Sequence, residues 1–249
     1  MIEPHVLALL AAASVATGAL SAIVGMAGGM TLLALMLLWM EPQVAIPVHA
    51  VVQLVSNSSR SVAQWPNVRW PLFARFALPL LPFAYAGLAV SRTVPRGVGD
   101  LLIGAFVLVA TWRPAWLRFG AAGSADPGRR MVAAGSIVGF FSTTLGATGP
   151  LLAPFFLHLG LGRKELIGTQ AVCQAYQHLA KIVLFGAVGF AFRDWLAPLA
   201  VLSCTATVGT WIGTRLLDRV SESDFRALYM GILTVLALRL VWTELPRIA

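Results

Sequence analysis

The sequence predicts an all-α integral membrane protein built as two inverted repeats. Each repeat is a glycine-broken, re-entrant hairpin of short helices followed by three transmembrane helices, about eight to ten helical segments in all. Three observations predict it. The 249 residues are 58% hydrophobic and 11% charged, with a mean hydropathy of +0.81; a soluble domain carries about 25% charged residues, so this chain cannot cover a water-facing surface. Two glycine clusters, Gly25-Met26-Ala27-Gly28-Gly29 and Gly146-Ala147-Thr148-Gly149-Pro150, interrupt apolar runs. Two apolar spans carry a polar stripe with the same spacing.

The N-terminal stretch from residue 5 to 24 is apolar and rich in small residues, with no basic leader and no convincing cleavage site, so it reads as a retained helix. The glycine cluster follows, then a short apolar run to Met40. A helix of about thirteen residues rises only ~20 Å, less than the ~30 Å hydrocarbon core. Residues 5–40 are therefore expected to form a hairpin that enters and leaves on one side, ended by Glu41 and Pro42. Full spans are expected at 46–65, 72–91 and 98–117, with Pro79 and Pro82 inside the second. Trp65, Trp70, Trp112 and Trp116 stand near span ends, as interfacial aromatics do. Residues 1–117 make the first repeat, and the Gly-, Pro- and charge-containing segment 118–130 is a cytoplasmic linker. Residues 131–249 repeat the plan, with a hairpin at 131–160 and spans at 166–187, 194–214 and 224–242.

The repeat aligns without gaps at an offset of 121, where positions 18–63 give ten identities in 46. Gly18, Ser21, Gly25 and Gly28 match Gly139, Ser142, Gly146 and Gly149, and Gln53 matches Gln174. Glycines and stripe polars match, not only Leu and Val, and such internal repeats mark transporters. A returning hairpin plus three crossings inverts the second half. With the N-terminus outside, eleven Lys and Arg fall on the inner side (Arg69, Arg75, Arg113, Arg118, Arg129, Arg130, Arg163, Lys164, Arg215, Arg219 and Arg226). Five fall outside (Arg92, Arg96, Arg193, Arg239 and Arg247), which agrees with the positive-inside rule. The net charge of +8 has the same origin, and no basic run argues for a nucleic-acid partner.

The stripes are the candidate site. His49, Gln53, Ser56 and Arg60 recur at i, i+4, i+7 and i+11 on one helix face, with Asn57 beside them. Gln170, Gln174, Gln177 and Lys181 repeat the spacing, with His178 in the place of Asn57. Polar and cationic groups inside a span are costly in lipid and are kept there for binding or conduction. The helices starting after Gly28-Gly29 and near Thr148-Gly149 would aim free N–H groups and positive dipole ends at the same place. The candidate substrate-binding residues are thus Gly28, Gly29, His49, Gln53, Asn57, Arg60, Thr148, Gly149, Gln170, Gln174, His178 and Lys181. Three plainer explanations stand beside this one. Glycines also serve close helix packing, Arg60 and Lys181 could snorkel to an interface, and amides also bond neighbouring helices. No Asp or Glu lies well inside a span, so histidine (His49, His178 or His158) is the available group for proton coupling. Cys173 and Cys204 lie in apolar spans with no disulfide or metal spacing, and no metal or cofactor is expected.

The hairpin GALSAIVGMAGGMTLLALMLLW, its second copy GSIVGFFSTTLGATGPLLAPFFLHLGL and the following RKELIGTQA resemble the TauE/SafE family of sulfite and organosulfonate permeases over the whole chain. Two places depart from that pattern: Ala27 stands where a glycine is usual, and Pro47-Val48 where Gly-Thr is expected, while Gly168-Thr169 keeps it. The resemblance implies export of a small sulfur anion, sulfite or a sulfonate such as sulfoacetate, through the bacterial inner membrane. An anion channel is the alternative. A further one is a membrane enzyme, because Ser58-Ser59-Arg60-Ser61 faintly resembles the Ser-Arg-Ser element of undecaprenyl-pyrophosphate phosphatases; those enzymes need paired glutamates, and Glu41 and Glu165 are isolated. Small-residue faces are compatible with a homodimer.

Overall fold

A computed structural model describes residues 3–25, 27–90, 126–145, 148–157 and 159–248, with the single positions 105, 108, 109 and 112. The expected span 98–117, apart from those single positions, lies outside the described residues. So do residues 118–125 of the linker, Arg92, Arg96, Met26, Gly146, Ala147 and His158. Among the described residues every regular element is helical. The helices are α1 (Pro4–Val24), α2 (Ala27–Met36), α3 (Pro42–Ala63), α4 (Trp70–Val90), α5 (Pro127–Leu145), α6 (Gly149–Leu157), α7 (Arg163–Ala187), α8 (Leu196–Leu217) and α9 (Glu222–Ile248). Short 3-10 turns at Trp65–Asn67 and Phe192–Trp195 lead into α4 and α8.

Among the described residues, three helices are long and apolar enough to cross a membrane: Pro4–Val24, Trp70–Val90, and α8 with its leading turn, Phe192–Leu217. Their exposed surfaces carry large apolar side chains such as Leu78, Tyr85, Val208 and Trp211, which suits lipid as the solvent. The first arm of the expected hairpin is longer than a re-entrant segment needs. At 21 residues, or about 32 Å, α1 has the length of a full span. Pro4 starts it, where a missing N–H costs nothing. Gly25 stops it with a φ of 86°, its N–H bonding the Ser21 carbonyl at 2.7 Å. Only glycine takes that left-handed turn without penalty. The second arms are short: α2 has ten residues and α6 nine.

Close packing depends on glycines that face carbonyls. Gly18 of α1 lies against the Ala206 carbonyl of α8, and Gly213 of α8 against the Ala19 carbonyl of α1. The pair α4 and α5 does the same, Gly139 meeting the Leu80 carbonyl and Gly87 the Phe140 carbonyl. In all four places a Cβ would collide with backbone, so the helices touch at small-residue faces. Between these pairs, α3 packs along α7.

Two apolar clusters surround the short helices. Leu32, Leu33 and Met36 of α2 are buried with Leu10, Val48, Val52, Leu199 and Leu202. Leu151, Leu152, Phe155 and Phe156 of α6 are buried with Phe76, Leu80, Met131, Ile167 and Tyr229. One end of the bundle carries three ion pairs between separate elements. Arg69 bonds Glu165 at 2.8 Å, Arg75 bonds Asp126 at 3.4 Å and Lys164 bonds Asp218 at 2.6 Å. The starts of α4, α5 and α7 and the end of α8 therefore share one face. Thr169 ties into the same region: its Oγ1 accepts the Arg69 N–H at 2.9 Å, while Gly168 leaves room for Gln64, whose Cβ is 3.0 Å from where a glycine Cβ would stand.

Candidate functional site

The polar stripes of α3 and α7 are buried against each other. His49, Gln53, Ser56, Asn57 and Arg60 on one helix, and Gln170, Gln174, Gln177, His178 and Lys181 on the other, are all less than a tenth exposed. Each helix turns its apolar face to one of the two clusters, Val48 and Val52 on α3, Ile167, Cys173 and Ala180 on α7. The faces left over can only meet each other or a neighbouring helix. A buried polar group is stable only when it is hydrogen-bonded, and most of these are.

Arg60 is the hub. Its Nη2 donates to Gln174 Oε1 at 3.1 Å and to Asn57 Oδ1, and its Nη1 donates to the Ser21 carbonyl. The last contact places a cation at the C-terminal end of α1, the favourable end of that helix dipole. With 1% of its surface exposed, Arg60 does not snorkel, and Lys181 at 0% does not either. The hydrogen bonds that Arg60 makes among the described residues all go to neutral acceptors.

The other partners follow the same geometry. Asn57 Nδ2 donates to the Gln53 carbonyl at 2.7 Å and, at 3.5 Å, to Gln53 Oε1. His49 Nε2 donates to the Gly29 carbonyl at 2.8 Å, which links α3 to the first turn of α2. The His49 and His178 rings meet edge to face with centroids 5.8 Å apart. Gln177 Nε2 donates to Thr148 Oγ1 at the start of α6. Ser56 shares a 2.9 Å hydrogen bond with Thr210 of α8. Ser59 and Ser61, which flank Arg60, each bond a carbonyl of their own helix at 2.8 Å, so both hydroxyls serve α3 itself.

A cavity of about 300 Å³, its mouth included, opens where these groups converge, lined by Ser21, Gly29, Met30, His49, Gln53, Thr148, Gly149, Gln174, Gln177 and His178. Of the twelve candidates from the sequence, Gly29, His49, Gln53, Thr148, Gly149, Gln174 and His178 line it. The other five do not. Arg60 and Asn57 stand behind the wall and hold the amides of Gln174 and Gln53. Gln170 faces Tyr229, whose OH is 3.5 Å from Gln170 Oε1 and 3.3 Å from the Ala153 carbonyl. Gly28 packs against the Thr17 carbonyl and Ser21 Oγ, so its lack of a side chain serves the α1–α2 approach. Lys181 is buried on α7, one turn beyond Gln177.

Ser21 and Met30 join the wall without having been singled out as site residues, Gln177 joins it from the stripe although it is not among the twelve, and Tyr229 and Thr210 support it. Ser21 had a signal in its match to Ser142, and Gln177 in its place on the stripe. Tyr229 had none, since it is one aromatic in an apolar helix.

Chemically, the wall can receive a small anion. Arg60 holds the Gln174 oxygen, so the amide end left for a ligand carries two N–H groups. Gln53 is held the same way by Asn57, less tightly. The first turns of α2 and α6 contribute Gly29 and Gly149, where backbone N–H groups lack helical partners. The sequence model of the family described as "Sulfite exporter TauE/SafE" matches residues 10–240. No curated protein and no solved structure matches the chain.

Proposed function

Because this chain belongs to the sulfite exporter TauE/SafE family, a family of membrane transporters, we propose that it is a secondary transporter that exports sulfite, or a small organosulfonate such as sulfoacetate, across the bacterial inner membrane by alternating access. The observation that carries the reading is the orientation of the cavity amides. Arg60, buried on neutral acceptors, holds Gln174 by its oxygen and leaves N–H groups for a ligand. Arg60 has no carboxylate among its described partners; a buried cation so placed calls for a counter-anion, and an oxyanion at the amide ends supplies it one residue away.

Two inverted halves would move around this site. Three features support them: the offset of 121 in the sequence, the reciprocal glycine contacts of α1 with α8 and of α5 with α4, and the central pairing of α3 with α7. The shared face of Arg69, Arg75, Lys164 and Asp218 fits a cytoplasmic end rich in Lys and Arg, with both termini outside. Rocking of one half against the other would open the cavity to each side in turn.

The test is uptake of labelled sulfite and sulfoacetate into proteoliposomes, with and without a pH gradient, in wild type, Arg60→Gln and Lys181→Gln. Saturable flux that is lost in both variants is the expected result. Intact flux in both would remove the two cations from the path. Flux that rises linearly with gradient would make the protein a channel, and no flux of any sulfur anion would end the substrate class.

A further inference from the structure

The cavity wall holds acceptors as well as donors, and they restrict which anion fits. His49 Nε2 faces a carbonyl oxygen at 2.8 Å. A carbonyl only accepts, so Nε2 carries the hydrogen. A histidine above its ordinary pKa near 6.5 is neutral, and in that tautomer Nδ1 is a bare lone pair. Nδ1 is buried without a hydrogen-bond partner among the described residues. Gln177 is in the same position: its amide nitrogen is engaged by Thr148, and its Oε1 is buried without a partner there. Both residues line the cavity. On the same wall, Gln53 and Gln174 have their oxygens held from behind and offer N–H groups.

Donors beside unpartnered acceptors match a ligand that has both. Resting on the transport reading above, we infer that the site takes its anion with one hydrogen attached: hydrogen sulfite, with the hydrogen given to His49 Nδ1 and the oxygens received by the Gln53 and Gln174 amides. A sulfite dianion or a sulfonate has only acceptors. It would set lone pairs against Nδ1 and leave that buried atom unsatisfied, a desolvation loss that weakens binding. Sulfite takes up its proton near neutral pH, so both forms are present in a cell and the site selects one.

The titratable and charged groups facing His49 are His178 and Lys181 on α7 and Arg60 on its own helix, with Tyr229 of α9 beyond Gln170; the described parts of α1, α2 and α6 at the cavity add none. Their titration changes affinity for any anion. Methanesulfonate, close in size and with no hydrogen to donate, reports that protein-side change alone.

The experiment is calorimetric binding of sulfite and of methanesulfonate to the purified full-length protein at about pH 7 and about pH 9, both above the ordinary histidine range, in wild type and His49→Leu. Leucine removes the Nδ1 acceptor and brings none of its own. In wild type, sulfite is expected to bind roughly tenfold tighter than methanesulfonate at the lower pH, with that ratio collapsing at the higher pH. In His49→Leu the ratio is expected to fall toward one at both. A wild-type ratio that is near one, or that does not change with pH, overturns the inference and leaves the transport reading standing. An unchanged ratio in a folded His49→Leu also overturns it. The wild-type comparison needs no variant, so a misfolded His49→Leu does not spoil the test. No binding of either anion ends both readings.

Discussion

Arg60 acts through its fork of donors, which reaches α1, α3 and α7 at once. A lysine has no planar fork, so Arg60→Lys is expected to lose most of the flux that Arg60→Gln loses, roughly 10-fold or more for a charge-assisted bond worth about 1.5–3 kcal/mol. Proteoliposome flux of the two variants side by side checks this, and full rescue by lysine would mean that charge alone matters. Gln174→Glu tests the amide orientation. The carboxylate would pair with Arg60 more strongly than the amide does but would present oxygen in place of N–H to the ligand. Unchanged or raised thermal stability with abolished anion binding is the expected pair of results. Binding that survives would place the ligand elsewhere.

At the element scale, the α1–α2 hairpin rests on two glycines with different reasons. Gly25 needs its φ of 86°, and a side chain there costs about 1–2 kcal/mol, besides pressing on the Gln170 amide. Gly28 needs space, since a Cβ would strike the Thr17 carbonyl. Gly28→Ala is therefore expected to lower the melting temperature in detergent and to reduce flux by tilting α2 away from His49. A variant with wild-type melting and flux would show that α2 docks less tightly than its glycine contact implies. The ion pairs at the helix ends behave differently. The Lys164 hydrogen bond holds the Asp218 carboxyl below the usual carboxylate range, and the Gly128 N–H, with Arg129 N–H and Arg75, does the same for Asp126. A lowered carboxyl pKa contributes stability above the ordinary value and loses it as pH falls through the lowered one. Neither group should change stability between about pH 5 and 8, and any loss from them should begin below about pH 4. Melting curves of Asp218→Asn against pH would show it: a difference from wild type that grows in acid contradicts this assignment.

For the whole molecule, the proposed inverted arrangement makes a prediction about sidedness. Single cysteines in place of Arg69, Arg129, Lys164 or Arg219 should react with a membrane-impermeant thiol reagent from the cytoplasmic side, and one in place of Arg193 from the other. Labelling of Arg69 and Arg193 positions from the same side would overturn the topology. The reciprocal glycine seams, α1 on α8 and α4 on α5, bind the first part of the chain to the second twice. A large residue at Gly213 or Gly87 should therefore damage the assembly of both parts, seen as aggregation in size-exclusion chromatography and not only as lost transport.

Composition alone made this a helical membrane protein, because 11% charged residues cannot face water over 249 positions. Period and spacing put His49, Gln53, Asn57 and Arg60 on one face of α3 and Gln174, Gln177, His178 and Lys181 on one face of α7, where they are found. The glycine clusters marked the breaks at Gly25 and before Gly149, since turns and close approaches are local demands on a residue type. The bounds of α1 were legible as well, residues 5–24 being expected and Pro4–Val24 found, because Pro4 and Gly25 mark its ends; whether that arm re-enters or crosses was not, because a uniformly apolar run of this length permits both. The roles within the stripe were not legible at all. Equal spacing makes Arg60 look like a ligand-contacting cation, yet only packing against α1 and α7 turns it to the Ser21 carbonyl and Gln174 and leaves Gln174 to line the cavity. Likewise, that His49 meets the ring of His178 depends on how α3 and α7 cross. One helix specifies which residues share its face; which atoms of that face remain unpaired is decided by the neighbour it packs against.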